Sequence, residues 1–164
     1  MDNNVHASDS ALLKKALRLA RDEKTDAARQ LLSTVSIEKL TADDARSVAL
    51  AHSYCNDLDQ SERAWRHVVA AGDEVAGDRF MLASAQLDLG RPDEALDNLR
   101  REIDLGERSG NDYYLVSAVI TAASILLNRR DEAAAQDLLR LISDEDGYYL
   151  RGVGFRTKRQ LLNK

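Results

Sequence analysis

Four alanines each stand one helical turn ahead of a bulky aliphatic: Ala28 with Leu32, Ala64 with Val68, Ala95 with Leu99 and Ala134 with Leu138. Residues four apart share one face of a helix, so each pair sets a notch beside a knob. Each pair falls in the second of two amphipathic stretches separated by a short polar break. The chain therefore reads as a series of helix–turn–helix units, their alanines 36, 31 and 39 residues apart. A hairpin of two helices cannot bury both of its faces, so such units must stack. One proline in 164 residues suits long helices. No segment alternates apolar and polar residues for long enough to predict a strand, and the expected class is all-α.

Capping signals divide the chain further. Ser8 or Asp9 opens a first helix carrying Leu12, Leu13, Ala16, Leu17 and Ala20 on one face, and Thr25 opens a second. Thr41 with Asp44 resembles a capping box ahead of a third helix, and Asp59 with Glu62 marks a fourth. A fifth helix is expected from Asp73 to Gly90. Pro92 takes the first turn of a sixth, and Ser109-Gly110-Asn111-Asp112 ends it. A seventh runs from Asp112 to Asn128 and an eighth from Asp131 to Ser143. The expected domain plan is a polar lead over residues 1–7, a helical repeat domain of about four hairpins over 8–147, and a basic capping helix over 148–164 within the same domain. Gly152 and Gly154 weaken the first half of that last helix by roughly 0.5–1 kcal/mol each relative to alanine.

Charge is unevenly placed. The net charge is −5, yet Arg151, Arg156, Lys158, Arg159 and Lys164 close the chain with no acid among them, so the first 150 residues carry −10. An acidic body repels phosphate backbones and argues against nucleic acid as a partner. Cys55 is the one cysteine and excludes an internal disulfide. The start lacks the basic and apolar regions of a signal peptide. The longest apolar run, Leu115 to Leu127, is shorter than the ~20 residues of a membrane span. A cytoplasmic protein with no membrane association is expected.

The third unit carries the clearest pattern: Leu82-Ala83-x-x-Gln86-x-x-x-Gly90-x-Pro92-Asp93-Glu94-Ala95-x-x-x-Leu99. It resembles the tetratricopeptide repeat, whose period is ~34 residues. Aligning the units on the four alanines puts Ala16, His52, Ala83 and Ala122 at the first-helix contact position. The same alignment puts Glu23, Asp59 and Arg129 where Gly90 turns. The resemblance implies a short right-handed solenoid of stacked antiparallel hairpins with a C-terminal capping helix. It also implies that a peptide or helix of a partner protein binds the concave face lined by the first helix of each hairpin. Carried over to this chain, that face holds Leu13 and Leu17, then Arg46, Ser53, Asn56 and Asp57, then Phe80, Ser84, Leu87 and Asp88, then Val116, Val119, Ala123 and Leu126. The lysine and asparagine with which similar proteins clamp a terminal carboxylate are replaced by Ala49 and Ser53.

The run Leu115–Leu127 is apolar nearly all round and needs cover on every side. Two readings follow. Neighbouring helices cover it, or one face stays open as a hydrophobic groove for a partner. The expectation for function is a non-enzymatic interaction module whose partner-binding residues are Arg46, Asn56, Phe80, Ser84, Leu87, Asp88, Val116, Val119, Ala123 and Leu126. Oligomerisation is compatible with the same surface. A small secretion-type chaperone holding a hydrophobic client, a peptide-responsive regulatory domain, and an enzyme with a scattered site are the rival readings.

Catalytic and metal chemistry find little support in the residues. His52 and Cys55 lie three apart, with His67 on the following helix, but a closed zinc site takes about four ligands. Cys55 as a nucleophile would need a base and an oxyanion site beside it. Gly152-Val153-Gly154 follows an acidic turn and lacks the Lys-Ser/Thr of a phosphate loop. No cofactor and no metal are expected. Tyr113-Tyr114 and Tyr148-Tyr149 flank turns, where the ring packs and the hydroxyl meets water. Trp65, next to Ala64, is expected to pack between hairpins.

Overall fold

The computed structural model describes residues 3–110 and 112–163. The chain is mostly helical, with one small two-stranded sheet among the described residues. It divides into two compact units, Met1–Glu74 and Val75–Lys164.

The first unit contains α1 (Asn3–Arg21), α2 (Thr25–Leu32), a short 3-10 turn at Ile37–Lys39, α3 (Ala42–Tyr54) and α4 (Leu58–Ala70). The first helix starts earlier than the expected caps Ser8 and Asp9, and Met1 and Asp2 of the expected polar lead lie outside the described residues. α1 packs on α2 and on α3, and α3 packs on α4. The Thr41 cap is present, its hydroxyl accepting from the Asp44 N–H at 3.3 Å.

The second unit contains α5 (Asp78–Asp88), α6 (Pro92–Ser109), α7 (Asp112–Asn128) and α8 (Glu132–Leu139). A hairpin of β1 (Gly147–Leu150) and β2 (Gly154–Thr157) follows, then the short α9 (Lys158–Leu162). α6 packs against α5 and α7, while α8 and β1 pack against α7. The core joins Phe80, Leu99, Ile103, Val119, Ile120, Leu126, Leu139, Leu150 and Leu161.

The expected capping helix over 148–164 is corrected. Only its end, α9, is helical; most of it is the antiparallel hairpin, with Tyr148 opposite Arg156, Tyr149 opposite Phe155 and Leu150 opposite Gly154. Lys164 lies outside the described residues. The physical reason is local. Gly152 and Gly154 hold φ of +74° and +92°, conformations that no helix accommodates, and aromatic residues flanking them favour a pleated strand. Gly147 is required for a different reason: a Cβ there would sit 2.8 Å from the Phe155 ring, which lies over the bare backbone. Thr157 and Gln160 form the capping box that starts α9.

The four helical hairpins close in the same way. Glu23, Asn56, Gly90 and Arg130 all hold φ between +59° and +72°. In each, the next N–H reaches back five residues: Lys24 to Leu19, Asp57 to His52, Arg91 to Gln86 and Asp131 to Leu126, at 2.8–3.0 Å. This is the left-handed closure that satisfies the last carbonyls of a helix. It also sets the phase of the two helices in each hairpin. Five residues after each turn comes Ala28, Ser61, Ala95 or Ala135, and seven before it comes Ala16, Ala49, Ala83 or Ala123. All eight are buried, and the Ser61 hydroxyl donates to the Ala49 carbonyl across its hairpin at 2.9 Å. The alignment on Ala64 and Ala134 is therefore corrected by three residues in the second hairpin and by one in the fourth. The turn residues there are Asn56 and Arg130, not Asp59 and Arg129.

Candidate functional site

A cleft of about 650 Å³ opens in the second unit between α5, α7 and the hairpin. α5 contributes Phe80, Ser84, Leu87 and Asp88, four residues on one face at helical spacing. α7 contributes Thr121, Ser124, Ile125 and Asn128, again a single stripe. The third wall is the hairpin, from Tyr148 to Val153. Leu150 is buried against the helices, while Tyr149 and Val153 are exposed.

Aromatic packing forms the floor. The Phe80 ring meets Tyr148 edge-on with centroids 5.4 Å apart and Tyr114 at 6.3 Å; Tyr114 in turn meets Tyr113 at 5.1 Å. Burial pushes the Tyr148 phenol up, and the nearby Tyr113 and Tyr114 push the same way, so it stays protonated at neutral pH. At the mouth, Arg151 from the hairpin turn forms an ion pair with Asp88. Asp88 is only 21% exposed, whereas Arg151 is 75% exposed. Ser84 donates its hydroxyl proton to the Phe80 carbonyl at 2.9 Å and Thr121 to that of Ser117 at 2.7 Å.

Of the ten residues expected to bind a partner, the structure brings together Phe80, Ser84, Leu87 and Asp88 in this cleft. Phe80 is buried beneath it rather than displayed. Val119, Ala123 and Leu126 are fully buried in the core and do not line an open surface, and Val116 is half-buried outside the cleft. The reason is that α7 is covered by α6, α8 and β1 at once, which corrects the expectation of an open apolar groove along those residues. Arg46 and Asn56 belong to the first unit. Arg46 donates to Asp43 at 2.6 Å and to the Asp73 carbonyl at 2.7 Å, and Asn56 is the left-handed turn residue joining α3 to α4. Sequence reasoning missed Thr121, Ser124, Ile125 and Asn128: moving the expected stripe by the one residue of the fourth turn recovers Ser124 and leaves the other three. It missed the hairpin wall because four-residue strands leave almost no periodic signal.

The first unit holds a smaller polar cleft of about 320 Å³, lined by Arg29, Leu32, His52, Asp57 and Gln60 among others. Arg29 grips Asp57 through Nε and Nη2 at 2.9–3.1 Å and donates to the Cys55 carbonyl at 2.6 Å. His52 Nδ1 stands 3.5 Å from Asp57. Burial pulls the His52 imidazole below its usual range despite Asp57, so the ring is neutral at pH 7. Burial alone would raise the Asp57 carboxyl; the hydrogen bonds from Arg29 and His52 outweigh it and hold it low. The Cys55 thiol is buried and pushed up by that burial, which is the opposite of an activated nucleophile. The cluster ties α2 to the α3–α4 turn. Among the described residues, no three His, Cys, Asp or Glu side chains converge as a metal site would require, and no helix is long and apolar enough to cross a membrane.

No family model, no curated protein and no solved structure matches this chain.

Proposed function

We propose that this chain is a non-catalytic, tetratricopeptide-like helical-repeat module that holds a short segment of a partner protein in the cleft between α5, α7 and the hairpin. The observation that carries the reading is the cleft itself, at about 650 Å³. That size falls in the ~300–1,000 Å³ range of sites that enclose a compact ligand, and a few peptide residues need the same room. Apolar Leu87, Ile125, Leu150 and Val153 beside Ser84, Asp88, Ser124 and Asn128 suit a peptide, which offers both side chains and amides. The shared left-handed turns, 33, 34 and 40 residues apart, support the repeat reading.

The test is selection from a displayed random heptapeptide library against the purified protein. Wild type is expected to enrich a family of related peptides. Ser124→Trp fills the cleft from a half-buried wall position and is expected to lose them while its melting temperature stays near that of wild type. Equal capture by Ser124→Trp, or no enrichment by wild type, overturns the reading.

A further inference from the structure

Asp88 is the one carboxylate among the residues that line the cleft. Asp88 brings a carboxylate that is mostly withdrawn from water. Ser84 and Thr121 have spent their hydroxyl protons on carbonyls of their own helices, so their oxygens can only accept from a ligand. The strongest donor at the mouth is Arg151, whose guanidinium rests on Asp88. The Arg151 side chain is three-quarters exposed, so water solvates it when it leaves Asp88, and a ligand cation that takes its place keeps the carboxylate paired. Asp88 cannot follow Arg151, being fixed near the end of α5.

We infer that Arg151 is a placeholder, and that the peptide held in the cleft presents an arginine or lysine which takes its place on Asp88. This rests on the peptide-binding reading above. The ligand's basic side chain gains a charge-assisted hydrogen bond in a partly desolvated site. Its neighbouring aliphatic side chains lie against Leu87, Ile125 and Val153. Binding then exchanges one ion pair for another, so Arg151 sets the affinity by competing with the ligand.

The same heptapeptide selection separates the two ideas. Peptides enriched by wild type are expected to share an arginine or lysine next to an aliphatic residue. Asp88→Asn is expected to weaken the best such peptide about tenfold or more, as loss of a charged hydrogen-bond partner does. Arg151→Ala is expected to tighten it several-fold, and Asp88→Asn/Arg151→Ala to restore nothing. Both single variants should melt close to wild type. Enriched peptides without a basic position, or weaker binding by Arg151→Ala, overturn the placeholder while leaving peptide binding in the cleft intact. No enrichment by wild type overturns both.

Discussion

Glu23, Asn56 and Arg130 hold a left-handed backbone that costs a residue with a Cβ roughly 1–2 kcal/mol. Gly90 meets the same demand at no such cost. Arg130 is exposed, so replacing it tests the conformation with little else disturbed. Arg130→Gly is expected to stabilise the protein by about 1 kcal/mol in chemical denaturation, part of the gain being offset by the greater freedom of glycine in the unfolded chain. A neutral or destabilising result would count against strain at that turn. His52 gives a prediction of a different kind. Its folded-state pKa lies below the usual value because burial disfavours the imidazolium. The unfolded state therefore takes up the proton first as pH falls through about 6.5, and stability present above that pH is lost below it. Glu102 works in the opposite sense. Burial raises its carboxyl above the ordinary range, although the Gly77 and Phe80 N–H groups donate to it at 2.7 and 3.3 Å. The comparison is therefore between proteins: His52→Gln is expected to lose less stability than wild type between pH 7 and 5. An equal loss in the two would mean that His52 charges freely in the fold.

At the level of the helices, the third hairpin was legible because its turn residue is glycine and its first helical residue is proline. Both announce themselves in a sequence. Asn56 marks the end of its helix in the sequence, as asparagine tolerates the left-handed conformation, but the alignment on Ala64 passed over it; Arg130 is distinguished by nothing in the local pattern, and Ala134 stands beside Ala135 to mislead the alignment. Small residues are frequent on both faces of α8, so Ala134 and Ala135 cannot be ranked without knowing where the turn falls. The structure ranks them: Ala135 is fully buried and Ala134 only partly so. Ala135→Leu is expected to cost about 1–3 kcal/mol through overpacking, against less than about 0.5 kcal/mol for Ala134→Leu, within the range of ordinary surface changes. Equal costs would undo the phase assigned to the fourth hairpin. The same slip accounts for Ser124 alone: moved on by one residue, the expected α7 stripe also takes in Ser117, Ile120 and Leu127, which do not line the cleft. Helix α7 was placed correctly from Asp112 to Asn128, yet its buried stripe was taken for the exposed one. The α5 stripe came out right because its hairpin was in phase.

Across the whole molecule, the basic tail loses the character it has in the sequence. Arg151 pairs with Asp88, Lys158 with Asp144 at 3.0 Å and Arg159 with Glu145, so much of its charge is spent within the second unit. Lys158 also donates to the Ile142 carbonyl at 2.9 Å. The segment acts through its apolar side chains as well: Leu150 and Leu161 are buried and Tyr148 covers Phe80. Ending the chain at Asp144 is expected to lower the melting temperature and to raise the fluorescence of a dye that binds exposed apolar surface. Unchanged melting in that truncation would remove the tail from the core. That a covering segment was needed could be read from Leu115–Leu127 of α7, which is apolar nearly all round; that it would be a hairpin could not, since no single residue demands pairing.

The spacing of the four left-handed turns carries a rule about how such a chain can change in length. Adding one residue between Leu126 and Arg130 would swing everything that follows by about 100° and turn Ala135 away from its partner. Adding residues around Gly110, after α6 has ended, disturbs no such match. The longest interval, from Gly90 to Arg130, is the one that contains this seam. Kindred chains should therefore differ in length at the seams between hairpins and keep the count inside each joint.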